Sequence, residues 1–366
     1  MPIKRGLCTI ILMEDLSDAY DFHSEFNDRY SIATRKVLRI LSENSRASVS
    51  EIAKYAQVSR RTAAEKIEQV KKAFGVKFTV ELNEQALGMN SPHIIVVKFK
   101  QKPDYVHILR VLNSTSISQV AALTKGDYDM FVYANALSGS EYAHWYKSMQ
   151  ILFSRYGVSW LSSEVVHKQL GFFPLRNDLI DRLGIAQKYK DLLKILNEDS
   201  RASFQSISKS LGMHFNTVAY NFAKLLQIGY IKRFTITMQP SKELAFMSFF
   251  SRYSPVDGYE DASSRARKAF MSDDKDSLIS RYILSAPLIG SYDFMTMGVF
   301  DSLKVAKKND IDYHKYVLRN HGTKLESAYL DRVLQGRLPI RSLDTKRAYD
   351  TIKWTPSEVR QAPPIN

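Results

Sequence analysis

Two adjacent arginines, Arg60 and Arg61, stand before Thr62 and, one helical turn on, before Glu65 and Lys66. These are the residues of the chain best suited to chemistry, and the chemistry is recognition. A guanidinium donates two parallel hydrogen bonds to the O6 and N7 edge of guanine, or clamps a phosphate. Ser59 precedes them and can cap a helix, which places Arg60, Arg61 and Thr62 on its first turn. In a helix-turn-helix that end enters the major groove. Between Arg35 and Lys77 the chain holds eleven lysines and arginines against four acids, a net of +7 and half the formal +14 of all 366 residues. Arg46 and Lys71 belong to this basic set. The expected DNA-contacting residues are therefore Ser59, Arg60, Arg61, Thr62, Glu65, Lys66, Arg46 and Lys71, and the implied partner is double-stranded DNA.

Other chemistry is thinly represented. One cysteine, Cys8, excludes a disulfide or a thiolate zinc cage within the chain and suggests a reducing, cytoplasmic setting. The eight histidines are scattered; His314 and His321, seven apart, make no metal site by themselves. His144 beside Trp145 reads as a helix face. Neither GxxxxGK[ST] nor GxSxG occurs. No apolar run approaches the roughly 20 residues that span a bilayer, and "MPIKRGLCTIILMEDL" reads as a strand or arm. The expectation is no catalytic residue, no metal and no cofactor.

The elements that position the arginines are written twice. "SRAS" occurs at 45–48 and at 200–203, an offset of 155, and the apolar positions around it stay in phase: Leu38 with Leu193, Leu41 with Leu196, Ile52 with Ile207, Ile67 with Phe222. Each copy predicts three short helices. In the first, Ser48 and Glu51 form a capping box, and Ala63, Ile67, Val70 and Phe74 repeat at four, three and four. "KFTVELN" (77–83), echoed by "KRFTITMQ" (232–239), predicts a wing or hinge strand. The second copy begins its third helix "HFNTVAYN", so His214, Asn216, Thr217 and Asn221 form a weaker set of DNA-contact candidates. Phe215 and Tyr220 there suit a packing surface.

A strand-rich segment follows each helical set. After the first come a strand at 93–100, a helix in "PDYVHILRVLNS", a hairpin around Gly126, a long helix ended by Gly157, and a strand in "VSWLSSEVVHK". The order βαββαβ is that of a ferredoxin-like sandwich. The second half repeats it, with helices expected within 259–271 and near 302–320. Both hairpins carry a related turn, "GDYDM" at 126–130 and "GSYDF" at 290–294. The fold class is α+β: two winged helix-turn-helix domains (31–83 and 188–239) alternating with two sandwiches (84–169 and 240–335). A packed connector (170–187) joins them, between an N-terminal extension (1–30) and a C-terminal tail (336–366) expected to be mobile.

This alternation resembles the Lrp/AsnC, or feast/famine, transcription regulators. The resemblance rests on "NSRASVSEIAKYAQVSRRTAAEKI", on the "GDYD" turn and on the spacing between them, and covers roughly residues 31–335 twice over. It implies a DNA-binding N-terminal domain and a sandwich, the RAM domain, that pairs subunits and often binds an amino acid. By that resemblance Arg60, Arg61 and Thr62 fall on DNA-reading positions, while Gly126, Asp129, Gly290 and Asp293 fall on turns near the effector site. With two sandwiches in one chain, an intramolecular RAM–RAM pseudo-dimer is expected, open to further homo-oligomerisation, with the two helix-turn-helix units projecting on separate sides. Sirohaem decarboxylases resemble the same family and supply an enzymatic alternative; an adaptor bridging DNA to other proteins is a third reading.

Overall fold

Capping and stop signals divide the first helical set as the spacing predicts. In the computed structural model, which describes residues 32–168, 171–238, 245–253, 282–300, 302–308, 310–311 and 322–339, α1 spans Ile32–Glu43, α2 Val49–Ala56 and α3 Arg60–Phe74. Ser48 Oγ accepts from Glu51 N at 3.2 Å while Ser48 N donates to Glu51 Oε2 at 2.7 Å, which closes the capping box. Gln57, left-handed at φ 58°, makes the tight turn out of α2, and Gly75 stops α3. The stripe Ala63, Ile67, Val70 and Phe74 is buried.

The wing strand β1 (Lys77–Leu82) leads into β2 (Ser91–Phe99), α4 (Tyr105–Asn113), β3 (Ser118–Gly126), β4 (Met130–Ala136), α5 (Gly139–Leu152) and β5 (Val158–Val165). Helix α5 stops at Leu152, short of Gly157; a 3₁₀ turn over Ser154–Tyr156 covers the difference. The connector is packed through buried Phe172, Phe173, Leu175 and the short α6 (Asn177–Ile180). Then come α7 (Gln187–Glu198), α8 (Phe204–Leu211), α9 (Phe215–Ile228), β6 (Ile231–Met238), β7 (Ala245–Tyr253), β8 (Tyr282–Gly290), β9 (Phe294–Phe300), β10 (Gly322–Gln335) and β11 (Leu338–Pro339). The extension 1–30, the helix expected within 259–271 and the chain from 340 onward lie outside the described residues. Of the helix near 302–320, residues 303–308 are described and helical. The expected tail begins differently: Leu338 and Pro339 pair with Met238 and Thr237 of β6, so this part of it belongs to a sheet.

Eight strands close a barrel in the order β10-β3-β4-β2-β5-β8-β9-β7. The first four-strand set (β3-β4-β2-β5) meets the second (β8-β9-β7-β10) at two seams. At one, β10 and β3 pair from Ala328↔Gly126 to Gln335↔Ala121; at the other, β5 and β8 pair from Ser163↔Gly290 to Val165↔Leu288. The two-residue period of the strands sorts the side chains. Ile94 and Val96 face the barrel interior with Tyr128, Phe131, Tyr133, Phe250, Met295 and Met297. Ile95, Val97 and Val132 face out, under α4 and α5 with Trp145 and Met149. Burial raises the pKa of Tyr128 and Tyr292, so both stay neutral phenols; Tyr128 pairs its hydroxyl with Ser248 Oγ and Tyr292 donates to Glu326.

Both seams depend on glycine. A Cβ on Gly126 (φ +149°) would lie 2.5 Å from Ser327 O, and one on Gly336 (φ +73°) would lie 2.3 Å from Gln119 O. The second seam repeats the device: Gly290 would meet Ser162 O at 2.8 Å and Gly171 would meet Ile283 O at 2.1 Å. At each of these positions backbone is the obstacle, so no rotamer change relieves the clash. Gly126→Ala and Gly171→Ala should each cost at least about 2–3 kcal/mol through strain and seam displacement. Urea unfolding of the two variants checks this, with Gly184→Ala, whose Cβ meets nothing within 4 Å, as the neutral control.

Candidate nucleic-acid interface

The reading helices belong to one joined head. β1 and β6 pair antiparallel from Lys77↔Thr237 to Leu82↔Ile231, and the helices cross over that ribbon: α1 lies against β6 and α7 against β1. The repeated tetrapeptides meet at its centre. Ser45 Oγ and Ser200 Oγ are 2.6 Å apart and buried. Ser45 N donates to Phe234 O at 3.1 Å, and Ser200 N to Phe78 O at 3.3 Å. Arg46 donates to Ser200 O and Ala202 O, and Arg201 to Ala47 O. The Arg46 guanidinium lies 5.5 Å from the Phe234 ring centroid and that of Arg201 5.0 Å from Phe78. Thr79 Oγ1 donates to Asn197 O and Thr235 Oγ1 to Ser42 O. The serine, threonine and Arg46–Ala202/Arg201–Ala47 contacts recur with the two copies exchanged, while Arg46 adds a bond to Ser200 O.

Two expectations are corrected here. The helix-turn-helix units do not project separately, because each loop satisfies its backbone groups on the other's wing strand. Arg46 is not a DNA-facing residue. It is half-buried between two carbonyls and three phenylalanine rings, and that burial lowers its pKa, with Asp199 opposing and Arg201 adding to the effect.

The surface of α3 holds the rest of the predicted set. Ser59 Oγ accepts from Thr62 N at 3.0 Å and lies 2.9 Å from Thr62 Oγ1, which fixes the first turn. Arg60 and Arg61 are exposed. The Arg61 side chain is 90% exposed and pairs through Nε with Glu65 at 3.0 Å; a pair so exposed holds the guanidinium loosely and releases it at little cost. Lys66 Nζ donates to Gln69, and Lys71 pairs with Glu68 at 2.9 Å near the far end of the helix.

The second reading helix offers other groups. The His214 ring caps α9 by accepting from Asn216 N at 3.3 Å, and Asn216 and Thr217 are exposed. Asn221 is corrected: it is 2% exposed and belongs to the interior of the helical set. Phe215 and Tyr220, expected to suit a packing surface, are 48% and 59% exposed, with Phe215 edge-on to the Phe204 ring at 6.0 Å. Residues 190–232 carry six basic residues against three acids, a net of +3 where the first copy has +7.

The turn residues lie at the seams. Asp129 accepts from Phe99 N at 2.9 Å and pairs with Lys102; Asp293 accepts from Tyr253 N at 2.8 Å. Gly126 and Gly290 carry the close crossings described above. Sequence reasoning missed Arg201, Thr79 and Thr235 in the clasp, and Gly171 and Gly336 in the seams; the recurrence of "SRAS" was the available signal for the clasp. Among the described residues no three His, Cys, Asp or Glu groups are placed to hold a metal ion, and no helix is long and apolar enough to cross a membrane.

The clasp makes Arg46 a stability residue. Arg46→Ala should lower stability by about 1–3 kcal/mol, because it leaves a part-buried carbonyl without its donor. Thermal and urea unfolding measure that loss, and the variant's DNA affinity at saturating folded fraction should match the parent.

A winged helix-turn-helix DNA-binding family model matches residues 190–232, the second helical set. The chain is 24% identical over 143 residues to the HTH-type transcriptional regulator FL11 of Pyrococcus furiosus, covering 39% of this chain and 94% of that one. It is 29% identical over 99 residues to the regulatory protein AsnC of Haemophilus influenzae, 27% of this chain and 66% of that one. Among solved structures, the siroheme decarboxylase NirDL aligns with a TM-score of 0.52 at 13% identity, over 90% of this chain and 99% of that one; at this identity the likeness is one of fold. The chain is thus similar, over part of its length, to regulators of Lrp/AsnC type, and it carries a winged helix-turn-helix match within an α+β fold.

Proposed function

We propose that this chain is a sequence-specific DNA-binding transcription regulator of Lrp/AsnC type, acting in the cytoplasm, whose two head–sandwich units (31–169 and 188–335) work as an internal pseudo-dimer. The observation that carries the reading is the capped α3 with Arg60 and Arg61 exposed on its first turn. Ser59 orients that turn, the helix N-terminus favours an anion, and Arg61 leaves Glu65 for a guanine edge or a phosphate. The pseudo-dimer is supported by the two inter-set seams and by the swapped head contacts, which cover within one chain the sheet edges that would otherwise seek a second. A small effector near Gly126, Asp129, Gly290 and Asp293, and association of further copies, belong to the same proposal.

An enzymatic reading draws on the full-length fold likeness to a siroheme decarboxylase. Against it, the barrel interior is occupied by Tyr128, Phe131, Phe250 and Met295, all at most 1% exposed, and a haem enzyme does not need so basic a reading helix.

Replacing Arg60 and Arg61 together by alanine should weaken binding by at least ~1–3 kcal/mol and lower the steep dependence of affinity on salt, as fewer counterions are released. Fluorescence anisotropy over a salt series reads both; an affinity indifferent to the substitutions and to salt would sink the claim. Asn216→Ala should cost less. For the enzymatic alternative the expected result is negative: purified protein stays colourless, and added sirohaem elutes apart from it with an unshifted spectrum.

A further inference from the structure

The clasp joins the helical sets of α3 and α9 through reciprocal serine, threonine and arginine contacts, yet α9 carries a different recognition chemistry. At the 155-residue offset Phe215 takes the place of Arg60, Asn216 of Arg61, Thr217 of Thr62 and Tyr220 of Glu65. All four are exposed, two of them large aromatic rings, Phe215 with one edge against Phe204. Helix α9 contains Lys224 and no acid, so nothing on it repels a polyanion. The His214 cap holds its first turn as Ser59 holds that of α3.

These groups match a particular base pair. A carboxamide donates to N7 and accepts from N6 of adenine, while a phenyl edge or a threonine methyl packs on the C5-methyl of thymine. Arginine pairs instead select guanine. We propose that the chain reads an operator of two unlike halves: a guanine-bearing half under Arg60 and Arg61, and an A·T half under Asn216, Phe215 and Thr217. Tyr220, one turn further along, lies where its hydroxyl meets a backbone phosphate. The inference rests on the DNA-binding reading above and adds the base preference of the second helix. DNA is favoured over a protein partner as the cover for these rings, because α9 shares the frame of a basic reading helix and itself bears no negative charge. Joined heads also fix one distance between the two helices, so the halves must occur at one spacing.

Selection of bound duplexes from a randomised library by the full chain tests this. The expected motif has two dissimilar halves at a single spacing, one with guanine and one with A·T pairs. Asn216→Ala should erase the adenine preference at one position, worth roughly five- to a hundred-fold, and leave the guanine half unchanged; Arg60→Ala with Arg61→Ala should do the reverse. Replacing thymine by uracil in the A·T half should weaken the parent protein and not the Phe215→Ala variant. A palindromic motif, a single half-site, or preferences unmoved by Asn216→Ala and Phe215→Ala would overturn the inference and leave the aromatic face to a protein partner. Loss of all sequence preference in the parent would overturn the DNA-binding reading itself.

Discussion

The buried hydrogen bond between Ser45 and Ser200 is the point on which the head is organised. Two hydroxyls can meet so closely only if both loops approach across the β1–β6 ribbon, and each loop does so by giving its backbone groups to the other's strand. The arrangement is reciprocal, so neither helical set keeps this packing without the other. Serine suits the centre because its hydroxyl donates and accepts at once. Arginine suits the next position because a planar guanidinium can stack on phenylalanine while it donates to carbonyls. The tetrapeptide is written twice because the same surface must meet itself.

The barrel below obeys a second constraint, that of backbone crossing backbone. Where the two four-strand sets meet, the chain at Gly126, Gly290, Gly171 and Gly336 passes a facing carbonyl at a distance no side chain permits. The seams bring together residues distant in the chain: Gly126 and Ala328 are 202 positions apart, Ser163 and Gly290 127. Each closes on an interior already filled by aromatic and methionine side chains. Head and barrel are thus both held by contacts between the halves.

This frame leaves outer surfaces free to differ. Ser48 and Ser203 cap equivalent helices, and Leu41 and Leu196 are both fully buried. Arg60 and Phe215, which share a position on the frame, have opposite chemistry. The serines and arginines at the centre of the clasp, Ser45 with Ser200 and Arg46 with Arg201, keep their type because each answers a partner within the chain. Residues of the reading turns answer only to what lies outside.

Helices, caps, wing strands and the first βαββαβ run were legible in the sequence, because they rest on contacts within a few residues: a serine three positions from its glutamate, apolar side chains at four, three and four. The exposed arginines of α3 were legible for the same reason. The fate of Arg46 was not, since charge does not tell whether a guanidinium meets water or a phenylalanine on a strand 188 positions away. Asn221 was misplaced because its inward rotation depends on helices packed around α9. Phe215 and Tyr220 lie exposed on α9, where Phe215 meets the Phe204 ring edge-on at 6.0 Å. Local spacing determined which elements form and where they are capped. Only tertiary packing decided which charges are buried, where glycine is obligatory and how the heads join, because those outcomes turn on which distant backbone group arrives to make the contact.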